Sequence, residues 1–176
     1  WVIKPLWSPL VDLLGRKRRW IVVLQFAVGA ALAMVALTLP APRFLQLTLS
    51  VFWLMAFASA THDIAADGFY LLALPAHTQA GFVGVRSTAY RLAMIAGQGG
   101  LVYLAGWLSE RTGQVVTAWV AVFSVLAVFF IAAGLYHLWA LPAPEADQPA
   151  RRNAPLGAEF AAVFAAFFRQ PGIGRI

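Results

Sequence analysis

The sequence has no cysteine, which removes disulfide scaffolds, thiolate metal sites and cysteine nucleophiles together. Charge is scarce as well: 11% of the 176 residues are Asp, Glu, Lys or Arg, against about 25% in an ordinary soluble domain. Acidic residues are the scarcest at seven, and no aspartate stands between Asp67 and Asp147. Neither a carboxylate metal site nor a cofactor is expected from such a set. The low hydrophobicity that marks disorder is missing too, since 61% of residues are hydrophobic. That composition leaves a membrane protein, with the lipid bilayer as its first partner. The formal charge of +6 does not imply nucleic acid, because a mean hydropathy of +0.76 leaves too little polar surface for a phosphate-binding domain. The chain opens on Trp1 rather than Met, and the expectation is a piece of a longer protein.

A bilayer core about 30 Å thick needs roughly 20 apolar helical residues. Trp20 to Pro42, Phe44 to His62 and Leu92 to Ser109 carry no charge, and Thr112 to Pro144 carries only His137. Spans are expected near 20–39, 44–74, 86–108 and 115–140, with Val2 to Leu14 as the tail of an earlier helix. Gly15, Pro40-Ala41-Pro42, Pro75 and Gly113 supply the joints. Long continuous apolar runs are not the ten-residue alternating segments of a β-barrel. The fold class is therefore an all-α polytopic transmembrane helix bundle over residues 1–141, followed by a linker over 142–176.

Orientation follows from Lys and Arg. Ten of the thirteen, Lys4, Arg16, Lys17, Arg18, Arg19, Arg86, Arg151, Arg152, Arg169 and Arg175, fall on one side, and Arg43 and Arg111 on the other. This places the Gly15–Arg19 loop, the Pro75–Val85 loop and everything after Leu141 in the cytoplasm. In the linker, Phe160, Val163, Phe164, Phe167 and Phe168 recur at helical spacing. They imply a short amphipathic helix, either on the cytoplasmic membrane surface or packed on the missing part of the protein.

Ionisable groups inside a span are functional candidates by default. Asp63 and Asp67 stand at i and i+4 with Tyr70 three residues further along that face. A carboxylate pair of this kind suits a proton-accepting or substrate site. The alternative is that both are half-hydrated partners of the basic loop, since Asp63 lies 20 residues past Arg43, about 30 Å along a straight helix and near the cytoplasmic edge. His62 faces elsewhere, as a packing residue or a titrating one. If the second and third spans turn near Gln79, Asp67 and Arg91 each lie 12 residues from the turn and share a depth, as an ion pair that is either strut or switch. The same symmetry sets Gln98 near Thr61. Ala93, Ala96, Gly97, Gly99 and Gly100 make a small-residue face open to another helix. Gly97-Gln98-Gly99-Gly100 lacks the Lys-Ser/Thr ending of a phosphate loop.

Pro9-Leu10-Val11-Asp12-Leu13-Leu14-Gly15-Arg16-Lys17-Arg18-Arg19 resembles the loop between helices two and three of major facilitator superfamily transporters, with Pro9 in place of the first Gly and Leu13 in place of the first Arg. The resemblance implies the end of helix two through helix six and the central loop, a partial N-terminal half whose partner is a missing C-terminal half. Leu6 to Asp12, Ser59 to Asp67, Leu74-Pro75 and Tyr90 to Met94 followed by three glycines are similar to the AmpG-like muropeptide permeases and the related acetyl-CoA transporter branch. That likeness implies secondary active uptake of a small polar solute, cell-wall muropeptides or related sugars, with protons across the bacterial inner membrane. It also implies that Asp12, Gly15, Arg16 and Lys17 form a gating loop in a charge network with Asp67. Two other classes remain open: a membrane-embedded enzyme of the CDP-alcohol phosphotransferase type, disfavoured because its metals need a second Asp pair downstream of Asp67, and a non-transporting membrane fragment.

Overall fold

The computed structural model describes residues 3–149 and 154–169; Val2, Arg151, Arg152 and Arg175 lie outside the described residues, as do the side chains of Phe167 and Phe168. The described elements are all helical. A 3-10 turn, Lys4–Leu6, leads into α1 (Ser8–Leu14), α2 (Lys17–Thr38), α3 (Phe44–Ala73) and α4 (Ala76–Ile95). A π-helical segment, Ala96–Gly100, joins α4 to α5 (Leu101–Thr112), and α6 (Val115–Ala140) and α7 (Leu156–Phe168) follow. Because α4, the π segment and α5 run on without a break, four helices are long and apolar enough to cross a membrane: Lys17–Thr38, Phe44–Ala73, Ala76–Thr112 and Val115–Ala140. Helices meet the demand of a water-free bilayer core, since all their backbone bonds close within the segment.

α2 is the centre of the bundle, with α3 and α6 packed along it. Its buried stripe, Ile21, Val22, Gln25, Val28, Gly29, Leu32, Val35 and Ala36, follows the three-four spacing of one helical face. Val28 and Leu32 meet Ala127 of α6 and, around it, Met55 and Ala58 of α3. Glycine sets the approach of α2 to α6: a Cβ on Gly29 would stand 2.9 Å from Ile131 Cγ1, and one on Gly134 would stand 3.0 Å from Phe26 Cε1. A second cluster, Val11, Ile21, Ala65 and Phe69 with Trp20 and Leu141 against it, closes the end where the basic loop lies. At the opposite end the Thr38 and Thr48 hydroxyls share a 2.8 Å hydrogen bond. α5 packs on α6 across a tight turn whose left-handed position, φ 66°, is filled by Gly113, and the Gly113 N–H donates to Ser109 C=O at 2.9 Å.

Two expectations are corrected. The Val2–Leu14 tail is not one helix: its described part breaks at Trp7, between the 3-10 turn and α1, because Pro5 and Pro9 each withhold a backbone N–H. The Pro75–Val85 loop is helix from Ala76 onward. Pro75 is the extended N-cap of α4, and the Gln79 amide donates to the carbonyls of Leu74 at 2.8 Å and Leu71 at 3.3 Å, so Leu74-Pro75 alone turns the chain. The polar run His77-Thr78-Gln79, read as loop, is the first turn of the third long helix. α4 has no buried residue, and a Cβ on Gly97, Gly99 or Gly100 would meet nothing within 4 Å, so no described helix occupies that small-residue face.

Candidate functional site at the basic end of the bundle

The polar contacts between elements gather where α1, the start of α2, the ends of α3 and α6 and the start of α4 converge. Lys17 Nζ reaches Asp12 Oδ1 at 2.6 Å, closing the α1–α2 loop on itself. On its way the Lys17 stem crosses α3 at Gly68, where a Cβ would stand 2.5 Å from Lys17 Cε. A side chain at 68 would therefore displace the Lys17 stem, whereas the backbone torsion there places no demand for glycine.

The start of α2 is held from far along the chain. Arg16, its N-cap, has no capping side chain, and the first turn holds no acid. Asp147, 3% exposed, fills that role: its two carboxylate oxygens accept the backbone N–H groups of Lys17 at 2.7 Å and Arg18 at 2.9 Å. In return the Arg18 guanidinium donates to the carbonyls of Leu138 at 2.6 Å and Leu141 at 3.0 Å, which the end of α6 leaves without helical partners. Arg16 donates to Gln148 Oε1 at 3.3 Å. The segment after α6 and the start of α2 satisfy one another's orphaned backbone groups.

On α3, Asp63 pairs with Lys4 and Asp67 pairs with Arg86 of α4. The Arg86 guanidinium also lies over the Tyr70 ring, 4.9 Å from its centroid, while the Tyr70 hydroxyl donates to the Gln79 carbonyl. The Asp67–Arg91 pair is therefore replaced by Asp67–Arg86. With the turn at Pro75 rather than Gln79, the residue level with Asp67 is Val83, and Arg86, three residues further along α4, is the cation that reaches the carboxylate. Arg91 has no ion pair among the described residues. Gln98 is not brought to Thr61 either; its amide contacts Met94 Sδ at 3.8 Å, and Thr61 accepts from Trp7 Nε1 at 3.2 Å. Asp12, Lys17 and Asp67 do converge on one end, yet Asp67 gives its carboxylate to Arg86 and Lys17 gives its ammonium to Asp12. His62 sits on the packed side of α3, with a buried Nε2 that has no hydrogen-bond partner among the described residues.

Arg86, Lys4, Trp7, Gly68 and Asp147 were absent from the expected site. Arg86 could have been found from Pro75, since proline just before a helix marks its first turn. Asp147 gives no local signal, because its partners are backbone groups about 130 residues away in sequence.

A bundle of four span-length helices with its charge gathered at one end is a multi-pass membrane protein. Residues 1–174 match the family model of the Major Facilitator Superfamily, and the chain belongs to that superfamily of transporters. It is 31% identical over 116 residues to the anhydromuropeptide permease of Escherichia coli K12, covering 63% of this chain and 23% of that protein. Over 146 residues it is 28% identical to the putative transporter AmpG 4 of Rickettsia conorii, covering 76% of this chain and 32% of that protein. An uncharacterised protein of Haemophilus influenzae is 28% identical over 176 residues, 97% of this chain and 39% of that protein. The chain thus spans between about a quarter and two-fifths of the length of these curated relatives. No solved structure matches it. Membership of the superfamily, with a relative named as a permease, points to a transporter and not to a phosphotransferase-type enzyme.

Proposed function

We propose that the chain is part of a secondary active transporter that carries anhydromuropeptides, or related small sugar-containing wall fragments, inward across the bacterial inner membrane with protons. The observation that carries this reading is the 31% identity, over 116 residues, to a protein named anhydromuropeptide permease. The basic end is the cytoplasmic one on this reading, following the Lys and Arg asymmetry, and the linker after Leu141 joins the chain to a second half of the same polypeptide. Asp12, Gly15, Arg16, Lys17 and Asp67 act as a gate. Their contacts join α1, α2, α3 and α4 at one level, so a change in the pairing of Asp67 with Arg86 moves α4 against α3 without breaking the α2 core. Asp63 and Tyr70 border this gate, while Arg91 and Gln98 lie further along the exposed third long helix, where a solute can reach them.

Uptake by the full-length protein in proteoliposomes tests the assignment. An inward proton gradient should accelerate accumulation of radiolabelled anhydromuropeptide, and unlabelled anhydromuropeptide should compete. If folded protein takes up no wall-derived sugar while transporting another solute, the substrate class is wrong and the superfamily stands.

A further inference from the structure

Three buried side-chain nitrogens lack a hydrogen-bond partner among the described residues: Trp20 Nε1, His62 Nε2 and His137 Nδ1. Trp20 Nε1 lies against Gly15, so its neighbourhood is the α1–α2 loop. The two imidazoles form a separate group inside the bundle. Ala65 of α3 and Leu141 beyond α6 share the cluster at the basic end. His62 precedes Ala65 by three residues and His137 precedes Leu141 by four, so the rings lie about one helical turn inward on two helices that run the same way. Gln25, 6% exposed on the packed stripe of α2, follows Ile21 of that cluster by four residues and reaches the same level. His62 is within electrostatic reach of both His137 and Asp63.

We propose that His62 and His137 together form a single proton-binding site buried between α3 and α6, and that it serves the proton coupling of the permease. This rests on the transporter reading given above. A neutral imidazole offers one N–H and one lone pair. The orphan nitrogens of the two rings make no bond to each other, but a proton taken up by one ring opposes protonation of the other, since a second proton would set two cations side by side. The other titratable groups at this level are already committed. Asp63 is paired with Lys4 and Asp67 with Arg86, while Arg18, the charged group that α2 brings nearest, spends its donors on the carbonyls of Leu138 and Leu141. α6 brings no charged residue over its whole length, and besides His137 its one ionisable side chain is that of exposed Tyr136, whose ring centroid lies 5.9 Å from that of His137. The nearest carboxylate, Asp63, is shared with Lys4, so the pair has no counter-ion to itself among the described residues. A proton entering from the basic end converts it from neutral to singly charged, and departure of that proton restores the neutral pair.

Histidine-selective 15N NMR of the full-length protein in lipid nanodiscs tests this, with exposed His77 as an independent reference and assignments from single His→Gln variants. The expected result is a coupled titration: His62 and His137 shift together on the first proton, with the second at least about one pH unit lower. H62Q should turn His137 into a one-step titration with a moved midpoint, and H137Q should do the same for His62. Independent one-step curves that ignore removal of the other ring overturn the site, and the wild-type curve decides this by itself if a variant fails to fold. In proteoliposomes, H62Q and H137Q should flatten the pH dependence of uptake, and an unchanged profile in both variants overturns the coupling role. Absence of wall-sugar uptake by the wild type would defeat the substrate reading and leave the titration result standing.

Discussion

At the scale of single residues, the Asp67–Arg86 pair shows how a small error of register changes a partner. Both side chains are about half exposed, so the pair contributes less than about 1 kcal/mol to stability, and its value lies in where it joins α3 to α4. Arg86→Ala should impair transport by the full-length protein more than Arg91→Ala, and Asp67→Asn should partly restore the Arg86→Ala variant. A double-mutant cycle on uptake rates checks this. Non-zero coupling for 67 with 91, and none for 67 with 86, would return the pairing to the one that the sequence symmetry implied. Gly68 carries a related lesson. The Lys17 stem lies across it, a contact with no trace in the sequence around either residue.

At the scale of elements, the start of α2 is the point of greatest dependence on a distant segment. A helix beginning Lys-Arg-Arg places cations at the positive end of its own dipole, which is unfavourable unless an anion is supplied. Asp147 supplies it. Asp147→Ala should destabilise the protein by about 1–2 kcal/mol, the range for loss of an N-cap. Asp147→Asn should cost less, because the amide oxygen still accepts one N–H. Hydrogen exchange by mass spectrometry would read the effect as faster exchange across the first turn of α2, with the middle of α3 unchanged. Uniform acceleration across all helices would show that Asp147 acts on global stability and not on this end. The spans themselves were legible because their signal is length and continuous apolarity. The boundary at Pro75 was not, because polar residues in the first turn of a helix look like a loop until the bonds of Gln79 to Leu71 and Leu74 are seen.

At the scale of the whole molecule, α2 holds α3 and α6 in one body while α4 stands largely free of them. The close approach of α2 to α6 depends on Gly29 and Gly134. Gly29→Leu has no room beside Ile131, whose backbone nitrogen would lie 3.3 Å from even a Cβ, and should cost about 1–3 kcal/mol as an overpacked site. Thermal melts in detergent check this. Gly97→Leu, where a Cβ meets nothing, serves as the control expected to leave the melting temperature of this chain unchanged.

The sequence by itself determined the class of the protein and the number of its long helices. Both depend on transfer of apolar side chains from water to lipid, and that property adds up residue by residue along the chain. It also supplied the superfamily, through the spacing of Asp12, Gly15, Arg16 and Lys17. Only the tertiary structure decided which charge answers which: Asp67 to Arg86, Asp63 to Lys4, Lys17 to Asp12, and Asp147 to the backbone of α2. Ion pairs and caps act over a few ångströms in space and are indifferent to separation along the chain. They are settled by where a two-residue turn falls and by which helices a glycine lets approach.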